Sequence, residues 1–429
     1  MLYVGFAETD VTPKMGSESP GGFAARRLHE VQDPLKAVAM VVRNESTTLA
    51  LVGVDVVFMP DQVAARARQA IEARTKIPPT HVLLGASHTH GGGPVADCFG
   101  STADPAYLDL LVERITGAVE QAYHSLHSAE IGEGFGHEPS ISFNRRFLMR
   151  DGRQVTHPGK GNPDIVRPAG PIDPDVGVLA ARAPGGPLLG VFVNFACHLT
   201  VTGGNGFTAD YVANLRSVLR AHYQSPHLPV GFLLGAAGDV TQVDNQRAGR
   251  EFGPEWAQIC GLALGSEVAQ AIGRMDWRKE AVLKADRTIV PIPIRSEAEE
   301  PPEIPTIGLG SGPAADAVYA REREEVKRER ERNPIVPCEV QAMRLGDLGI
   351  ATNGAEYFCR LGLEIKAASP FKRTWVVSLA NQWIGYVATP TAYYAGGYEP
   401  RTARSAKMAP SAGVTLAVTA VGALRKLKG

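Results

Sequence analysis

The chain has 429 residues, of which 44% are hydrophobic and 21% charged, so it is long enough to bury a large core. Its 44 basic and 45 acidic residues leave a net charge of −1. Nucleic-acid-binding proteins typically carry a basic excess, so this composition argues against a nucleic-acid partner. The cysteines are five in number, widely spaced and without a C-x-x-C pair. This pattern excludes a disulfide framework and favours reduced thiols.

The N-terminal residues 1–7 lack the basic stretch and the long apolar run of a secretory signal, and they predict a first strand instead. No apolar run approaches the ~20 residues that a membrane-spanning helix needs. We therefore expect a cytoplasmic protein without a transmembrane segment.

Strand and helix patterns alternate along the chain, judged by apolar runs and by helical periodicity. Strands are predicted at residues 37–42, 49–57, 81–86, 176–183, 188–195, 230–236, 339–345, 348–352, 374–379, 384–388 and 413–417. Helices are predicted at residues 61–75, 107–124, 211–223, 254–272 and 314–332. This order predicts an α/β fold with a mixed central sheet flanked by helices, in one large domain over residues 1–429.

Two segments differ from this alternation. Residues 140–175 are rich in Arg, Asn, Gly and Pro, which predicts a long ordered loop without core elements. Residues 292–335 combine a Pro- and Glu-rich stretch with a helix of alternating charges, which predicts a surface excursion.

Three histidines stand apart from the other eight because each follows a hydrophobic strand. His88 and His90 come directly before three glycines, and His198 follows a second apolar run and precedes Gly203 and Gly204. Ligands bind at such strand-to-loop junctions in α/β sheets, and glycines allow close approach to the backbone. Two separate histidine-bearing strand ends indicate a shared metal site, since imidazole is a common zinc ligand. A buried, hydrogen-bonded histidine is the competing interpretation for each of them alone.

Four acidic residues occupy similar positions at the ends of strands. Asp55, Asp210, Asp239 and Glu356 all interrupt or follow apolar runs. A carboxylate buried there needs a partner, so these groups either orient histidines or cap helices. The residue types alone leave both readings open.

Taken together, the motifs resemble the catalytic domain of the neutral/alkaline, non-lysosomal ceramidases over nearly the whole chain. The motifs that carry the resemblance are residues 5–13 (GFAETDVTP), 86–90 (ASHTH) with Pro94, Asn144-Arg145, 173–179, 194–198 (NFACH), 235–239 (GAAGD), 354–356 (GAE) and the tyrosine block 386–398. The chain ends soon after the last motif. We therefore expect a small bacterial-type member without the family's immunoglobulin-like C-terminal domain.

The resemblance implies a mechanism and a set of site residues. Ceramidases of this family use one zinc ion to cleave the amide bond of ceramide. The zinc ligands it implies are His88, His198, Glu356 and Tyr386. The residues it places at the reaction centre are His90, Arg145 and Tyr398. Zinc would supply hydroxide at neutral pH and polarise the carbonyl.

We therefore expect a zinc-dependent hydrolase, with one zinc per chain, that cleaves a linear amide in ceramide or another N-acyl, lipid-like small molecule. The same groups would serve an ester or lactone hydrolase. The remaining alternatives are a non-catalytic ligand-binding protein and an interaction scaffold that uses the charged helix. Zinc content and a substrate panel separate these classes, whereas the oligomeric state stays open.

Overall fold

The computed structural model describes residues 1–302 and 308–429. Its strands, in chain order, are β1 (Leu2–Asp10), β2 (Glu30–Val31), β3 (Lys36–Arg43), β4 (Thr48–Val54), β5 (Val82–Ala86), β6 (His127–His137), β7 (Phe143–Asn144), β8 (Arg146–Met149), β9 (Gln154–Thr156), β10 (Ile165–Pro168), β11 (Asp175–Arg182), β12 (Leu188–Phe195), β13 (Gly206–Phe207), β14 (Val230–Leu234), β15 (Val240–Thr241), β16 (Leu283–Pro293), β17 (Ile335–Leu345), β18 (Leu348–Asn353), β19 (Ala355–Tyr357), β20 (Arg373–Val377) and β21 (Gly385–Val387). The helices are α1 (Asp61–Thr75), α2 (Pro105–His124), α3 (Tyr211–His222), α4 (Pro254–Gly273), α5 (Pro313–Arg332), α6 (Cys359–Ala368), α7 (Pro390–Tyr394) and α8 (Ala412–Lys428).

The elements form four layers in a single domain. The central mixed sheet has eight strands in the order β14-β12-β11-β6-β1-β3-β4-β5, and helices α1 to α4 cover one of its faces. Its other face packs on a four-stranded sheet, β16-β17-β18-β20. Helices α6 and α8 cover that second sheet on the outside. The predicted α/β fold with a mixed central sheet is confirmed.

Strands of the central sheet are buried on both faces. In β3, Ala37, Ala39 and Val41 pack toward the helices, while Val38 and Met40 pack toward the second sheet. A strand between two apolar layers needs hydrophobic side chains at every position, which explains its continuous apolar run.

The central sheet curls until strands near its two edges touch. A Cβ atom on Gly53 of β4 would lie 2.4 Å from the carbonyl oxygen of Phe232 in β14. A Cβ atom on Gly85 of β5 would lie 2.5 Å from the side chain of Leu233. Glycine at both positions therefore permits an approach that any side chain would block.

The segment after β20 joins the two edges of the curled sheet. The Ser378 amide donates to the Leu234 carbonyl at the end of β14, at 2.9 Å. The Asn381 amide donates to the Leu84 carbonyl in β5, at 2.8 Å. The carboxyl ends of β5, β12 and β14 consequently lie near one another.

Two of the predictions from sequence are wrong. Residues 413–417, predicted as a strand, belong to α8. The five-residue window is too short to separate the two periodicities. Over the whole helix, buried residues recur every three or four positions, at Leu416, Ala420, Leu424 and Leu427. Residues 140–175 contain four short strands, and Phe147, Met149 and Val155 form a small core there, so this segment is more than a loop.

The predicted surface excursion at residues 292–335 lies partly outside the described residues, at 303–307. Within the described part, its helix is confirmed as α5, which buries Val318, Tyr319 and Val326 and exposes most of its charged side chains. All five cysteines are buried thiols. Among the helices of the described residues, none is long and apolar enough to cross a membrane.

Candidate metal centre

Three histidines meet at the carboxyl end of the central sheet. His88 follows β5, and His198 follows β12. Backbone hydrogen bonds join the two loops. Thr89 and Leu199 form an isolated parallel β-bridge, in which the His90 amide donates to the Leu199 carbonyl at 3.1 Å. The ring centroids of His88 and His198 are 4.5 Å apart, and those of His88 and His90 are 4.9 Å apart. One ring nitrogen from each histidine lies within 4.8 Å of the others. We call these three residues the histidine cluster.

Hydrogen bonds fix the tautomer of every ring in the histidine cluster. The Nδ1 atoms of His88, His90 and His198 lie 2.6, 3.1 and 3.0 Å from the carbonyl oxygens of Val57, Gly21 and Val240, respectively. A carbonyl only accepts, so each Nδ1 carries the proton and each Nε2 presents a lone pair. Metal-binding histidines typically show this arrangement.

Burial keeps the rings of the histidine cluster neutral. It lowers the pKa of His88, and it lowers the pKa values of His90 and His198 well below the ordinary value for histidine. The neighbouring positive charge of Arg145 adds to the decrease in the pKa of His198. The Nε2 atoms of His88 and His90 are buried without a hydrogen-bond partner within the described residues. A buried acceptor without a partner is costly, so these two nitrogen atoms indicate a site for a metal cation or another bound group.

Glu356 places a carboxylate beside the histidine cluster. Its Oε2 lies 3.5 Å from His88 Nε2 and 3.9 Å from His198 Nε2. Its Oε1 accepts a hydrogen bond from Trp383 Nε1 at 3.4 Å. Strand β19 carries Glu356 and is held close to the end of β14, where a Cβ atom on Gly238 would lie 2.4 Å from the Glu356 carbonyl oxygen.

Arg145 links the histidine cluster to two tyrosines. Its Nη1 lies 3.3 Å from His198 Nε2, and its Nη2 donates to the Tyr386 hydroxyl at 3.1 Å. Tyr386 lies in β21, in register with Glu356 of β19. The Tyr398 ring is 5.7 Å from the Tyr386 ring, and the Arg145 guanidinium carbon is 5.6 Å from its centroid. The structure thus groups all seven candidate residues around one buried point.

The electrostatics of the two tyrosines and Arg145 are complementary. Burial raises the pKa values of Tyr386 and Tyr398, so both phenols stay protonated at neutral pH. Burial alone would lower the pKa of Arg145, but the Glu399 carboxylate and the hydrogen bond to the Tyr386 hydroxyl raise it above its usual range. The site therefore combines neutral imidazoles and hydroxyl donors with one permanent positive charge.

The other three acidic candidates have roles outside the histidine cluster. Asp55 pairs with Arg216, and Asp210 accepts from the Tyr211 amide and caps α3. Asp239 accepts from the Cys359 amide at the start of α6. None of the hydrogen bonds that these carboxylates make in the described part of the chain goes to a histidine, so the capping interpretation holds for Asp210 and Asp239.

Sequence reasoning missed three residues next to the site. Trp383 contacts Glu356, while Arg146 and Glu399 surround Arg145. A signal was present for one of them, because Arg146 is a charged residue directly before the apolar run Phe147-Leu148-Met149. A charge in such a place needs a buried partner.

The donor set fits a divalent metal ion. The site offers three imidazoles, two of whose Nε2 atoms have no partner in the part of the chain that the structure describes, and one carboxylate. Zinc and similar ions bind these ligand types in proteins. The geometry therefore shows a group that could hold a metal, as the strand-end histidines predicted.

Comparison with known proteins identifies the fold of the chain. Neither a protein-family model nor a curated protein matches the sequence. Several solved structures match, and two of them cover the whole chain at 18% identity. One is a ceramidase complexed with C2, with a TM-score of 0.79 over 75% of that chain. The other is the neutral ceramidase from Pseudomonas aeruginosa, with a TM-score of 0.77 over 74% of that chain. The resemblance is confirmed at the level of structure, and the chain has the fold of the neutral ceramidases.

Proposed function

We propose that the chain is a zinc-dependent hydrolase that cleaves a linear amide bond in a lipid-like N-acyl compound, ceramide or another. The observation that carries the proposal is the buried histidine cluster beside a carboxylate. Two of its Nε2 atoms have no hydrogen-bond partner within the described residues, and the Glu356 carboxylate lies 3.5 Å from His88 Nε2 and 3.9 Å from His198 Nε2. The likeness to solved ceramidases supports the amide as the bond that is cleaved.

Four residues would hold the zinc ion in this proposal: His88, His198, Glu356 and Tyr386. Bound zinc lowers the pKa of a water molecule to about 7 and polarises an amide carbonyl. His90 is the one open assignment, because its Nε2 lies as close to the other rings as a further ligand would. A variant of His90 alone is therefore needed to assign its role.

Arg145 stabilises negative charge on the substrate in this proposal. Its Nη1 contact with His198 Nε2 is long, at 3.3 Å, and the same nitrogen atom is needed as a metal ligand. If His198 Nε2 held the metal, Arg145 Nη1–H would be free to donate to the oxygen of the cleaved carbonyl. Removal of one preorganised donor of this kind typically lowers kcat about 10²- to 10³-fold.

Protons at the site are handled by neutral groups. Tyr398 keeps its hydroxyl proton because burial raises its pKa, and it can donate to the developing oxyanion. His90 Nε2 accepts the proton that water releases on adding to the carbonyl. It returns that proton to the amine nitrogen as the C–N bond breaks.

Metal analysis of the purified protein tests the proposal first. We expect about one zinc per chain in the wild type, by the stoichiometry of a catalytic site, and none in the His88→Ala/His198→Ala variant. The matched control is His124→Ala/His222→Ala, which removes two exposed histidines and should keep the metal. A wild type that binds no zinc after reconstitution contradicts the proposal.

A substrate panel tests the reaction. Ceramide and simpler N-acyl amides of varied chain length are compared with the matching esters and a lactone, with and without chelator. We expect amide cleavage that zinc restores after chelation. Cleavage of esters alone would identify an esterase on the same site. In His90→Gln, retained zinc with lost kcat places His90 at the reaction centre, whereas lost zinc makes it a ligand.

A further inference from the structure

Glu399 is a fully buried carboxylate, with 0% of its side chain exposed, and it binds two arginines that are neighbours in sequence. Its Oε1 accepts from Arg145 Nε at 2.8 Å. Its Oε2 accepts from Arg146 Nη1 at 2.6 Å and from the Thr156 hydroxyl at 2.8 Å. Burial alone would raise the pKa of Glu399, but the two guanidinium groups lower it to about 2. The carboxylate is therefore charged at neutral pH.

The Arg145 guanidinium is held on every side. Its Nε is bound to Glu399, and its Nη2 donates to the Gly238 carbonyl at 2.7 Å and to the Tyr386 hydroxyl. Only Nη1 points to the histidine cluster, through His198. A guanidinium is a planar fork, so the bond at Nε fixes where the two Nη atoms lie.

Arg146 fixes the carboxylate from the other side. Its Nη2 donates to the Gly396 carbonyl at 2.7 Å, just before Tyr398, and to Gln154 at 3.0 Å. It thereby ties strands β8 and β9 to the loop that carries Glu399. Because two arginines share one carboxylate, the three groups keep a net charge of +1, and Arg145 is not fully neutralised.

We infer that Glu399 is a positioning residue of the active site, which orients the Arg145 guanidinium toward the histidine cluster. Because Arg146 shares the negative charge of Glu399, Arg145 keeps part of its positive charge for interaction at the cluster. The inference rests on the proposed function. Within the described residues, the hydrogen bonds of Glu399 go to Arg145, Arg146 and Thr156 and to no member of the histidine cluster, so Glu399 acts through Arg145.

The test compares Glu399→Gln and Glu399→Asp with Glu339→Gln. Glu339 is a matched control, because it is also a buried carboxylate between two arginines, Arg68 and Arg287, in a different part of the fold. Glu399→Asp keeps the negative charge among the arginines and withdraws it by one methylene, so a folded variant is available even if the glutamine variant misfolds.

For both Glu399 variants we expect kcat to fall about 10- to 100-fold, the usual effect of losing a group that orients an active-site residue, with KM little changed. The visible spectrum of the cobalt-substituted protein should also change, since His198 and Tyr386 contact Arg145. The Glu339→Gln control, at a similar loss of thermal stability, should keep the wild-type kcat and spectrum. Wild-type kcat and spectrum in both Glu399 variants overturn the inference.

Failure of the proposed function gives a different result, namely a wild type that cleaves no amide or binds no metal. In that case crystal structures of the metal-free wild type and Glu399→Asp still decide the inference. A guanidinium of Arg145 that is rotated away from His198 and Tyr386 supports it. An unmoved guanidinium overturns it.

Discussion

The buried pair of Asp55 and Arg216 should support stability and have no part in metal binding. The Asp55 carboxylate accepts from Arg216 Nη1 at 2.5 Å and Nη2 at 3.1 Å, and from the Lys36 amide at 2.8 Å. Both side chains are buried, at 1% and 5% exposure. Asp55→Asn removes the ion-pair partner of the buried Arg216 guanidinium, which typically costs about 3–5 kcal/mol. With 429 residues, the entropy of unfolding is about 0.9 kcal/mol/K, so Tm should fall by about 3–6 °C.

A double-mutant cycle measured by thermal and urea unfolding checks the reasoning. Asp55→Asn/Arg216→Met removes both charges and should recover most of the loss, because a buried ion pair can often be replaced by apolar groups at little cost. Zinc content should equal that of the wild type in all variants. An Asp55→Asn protein of wild-type stability that no longer binds zinc would refute this account and return Asp55 to a role in orienting histidines.

Three further predictions concern the histidine cluster and the curled sheet. The unfolded metal-free chain protonates its histidines near pH 6.5, whereas the folded chain resists because burial lowers the pKa of each cluster ring. The free energy of unfolding should therefore decrease as the pH falls below 6.5, by up to about 1.4 kcal/mol per pH unit for each histidine. Urea unfolding at several pH values should show a weaker dependence of this free energy on pH in the His88→Ala/His198→Ala variant. Trp383→Phe removes the donor to Glu356 and should weaken zinc binding about 10-fold in a chelator competition; unchanged affinity contradicts the role of the indole. Gly53→Ala should cost about 1–3 kcal/mol through its clash with the opposite edge, whereas Gly117→Ala, in a helix and with free space around it, should be neutral or stabilising in the same melting assay.

Elements that satisfy their own local pattern could be predicted from the sequence. Helix α1 begins and ends where its periodicity and the following prolines indicate, at Asp61 and Thr75. The strand-end histidines were also visible, because a polar residue after a continuous apolar run is an unusual local signal.

Elements that depend on a distant partner could not be predicted. Strand β6 reads as polar and glycine-rich, since its glycines lie under α4: a Cβ atom on Gly134 would lie 3.3 Å from Ala271, and one on Gly136 would lie 2.7 Å from Glu267. Glu399 precedes a proline and reads as an exposed turn residue. Its burial depends on Arg145 and Arg146, which are remote in sequence, so no local pattern could announce it.

The curl of the central sheet places the histidine cluster between the two edges of that sheet. His88 follows β5 at one edge, and His198 follows β12, next to the other edge. Within the described residues no strand pairing joins β5 to β14. The two edges are joined by close packing at glycines, by the short segment 378–381 and by the bridge between Thr89 and Leu199. A metal ion held by His88 and His198 would add a further link between the two edges of the curled sheet. Removal of the metal should then speed amide hydrogen exchange in β4, β5 and β14 before exchange changes in the second sheet. Loss of the metal and separation of the two sheet edges would thus be coupled.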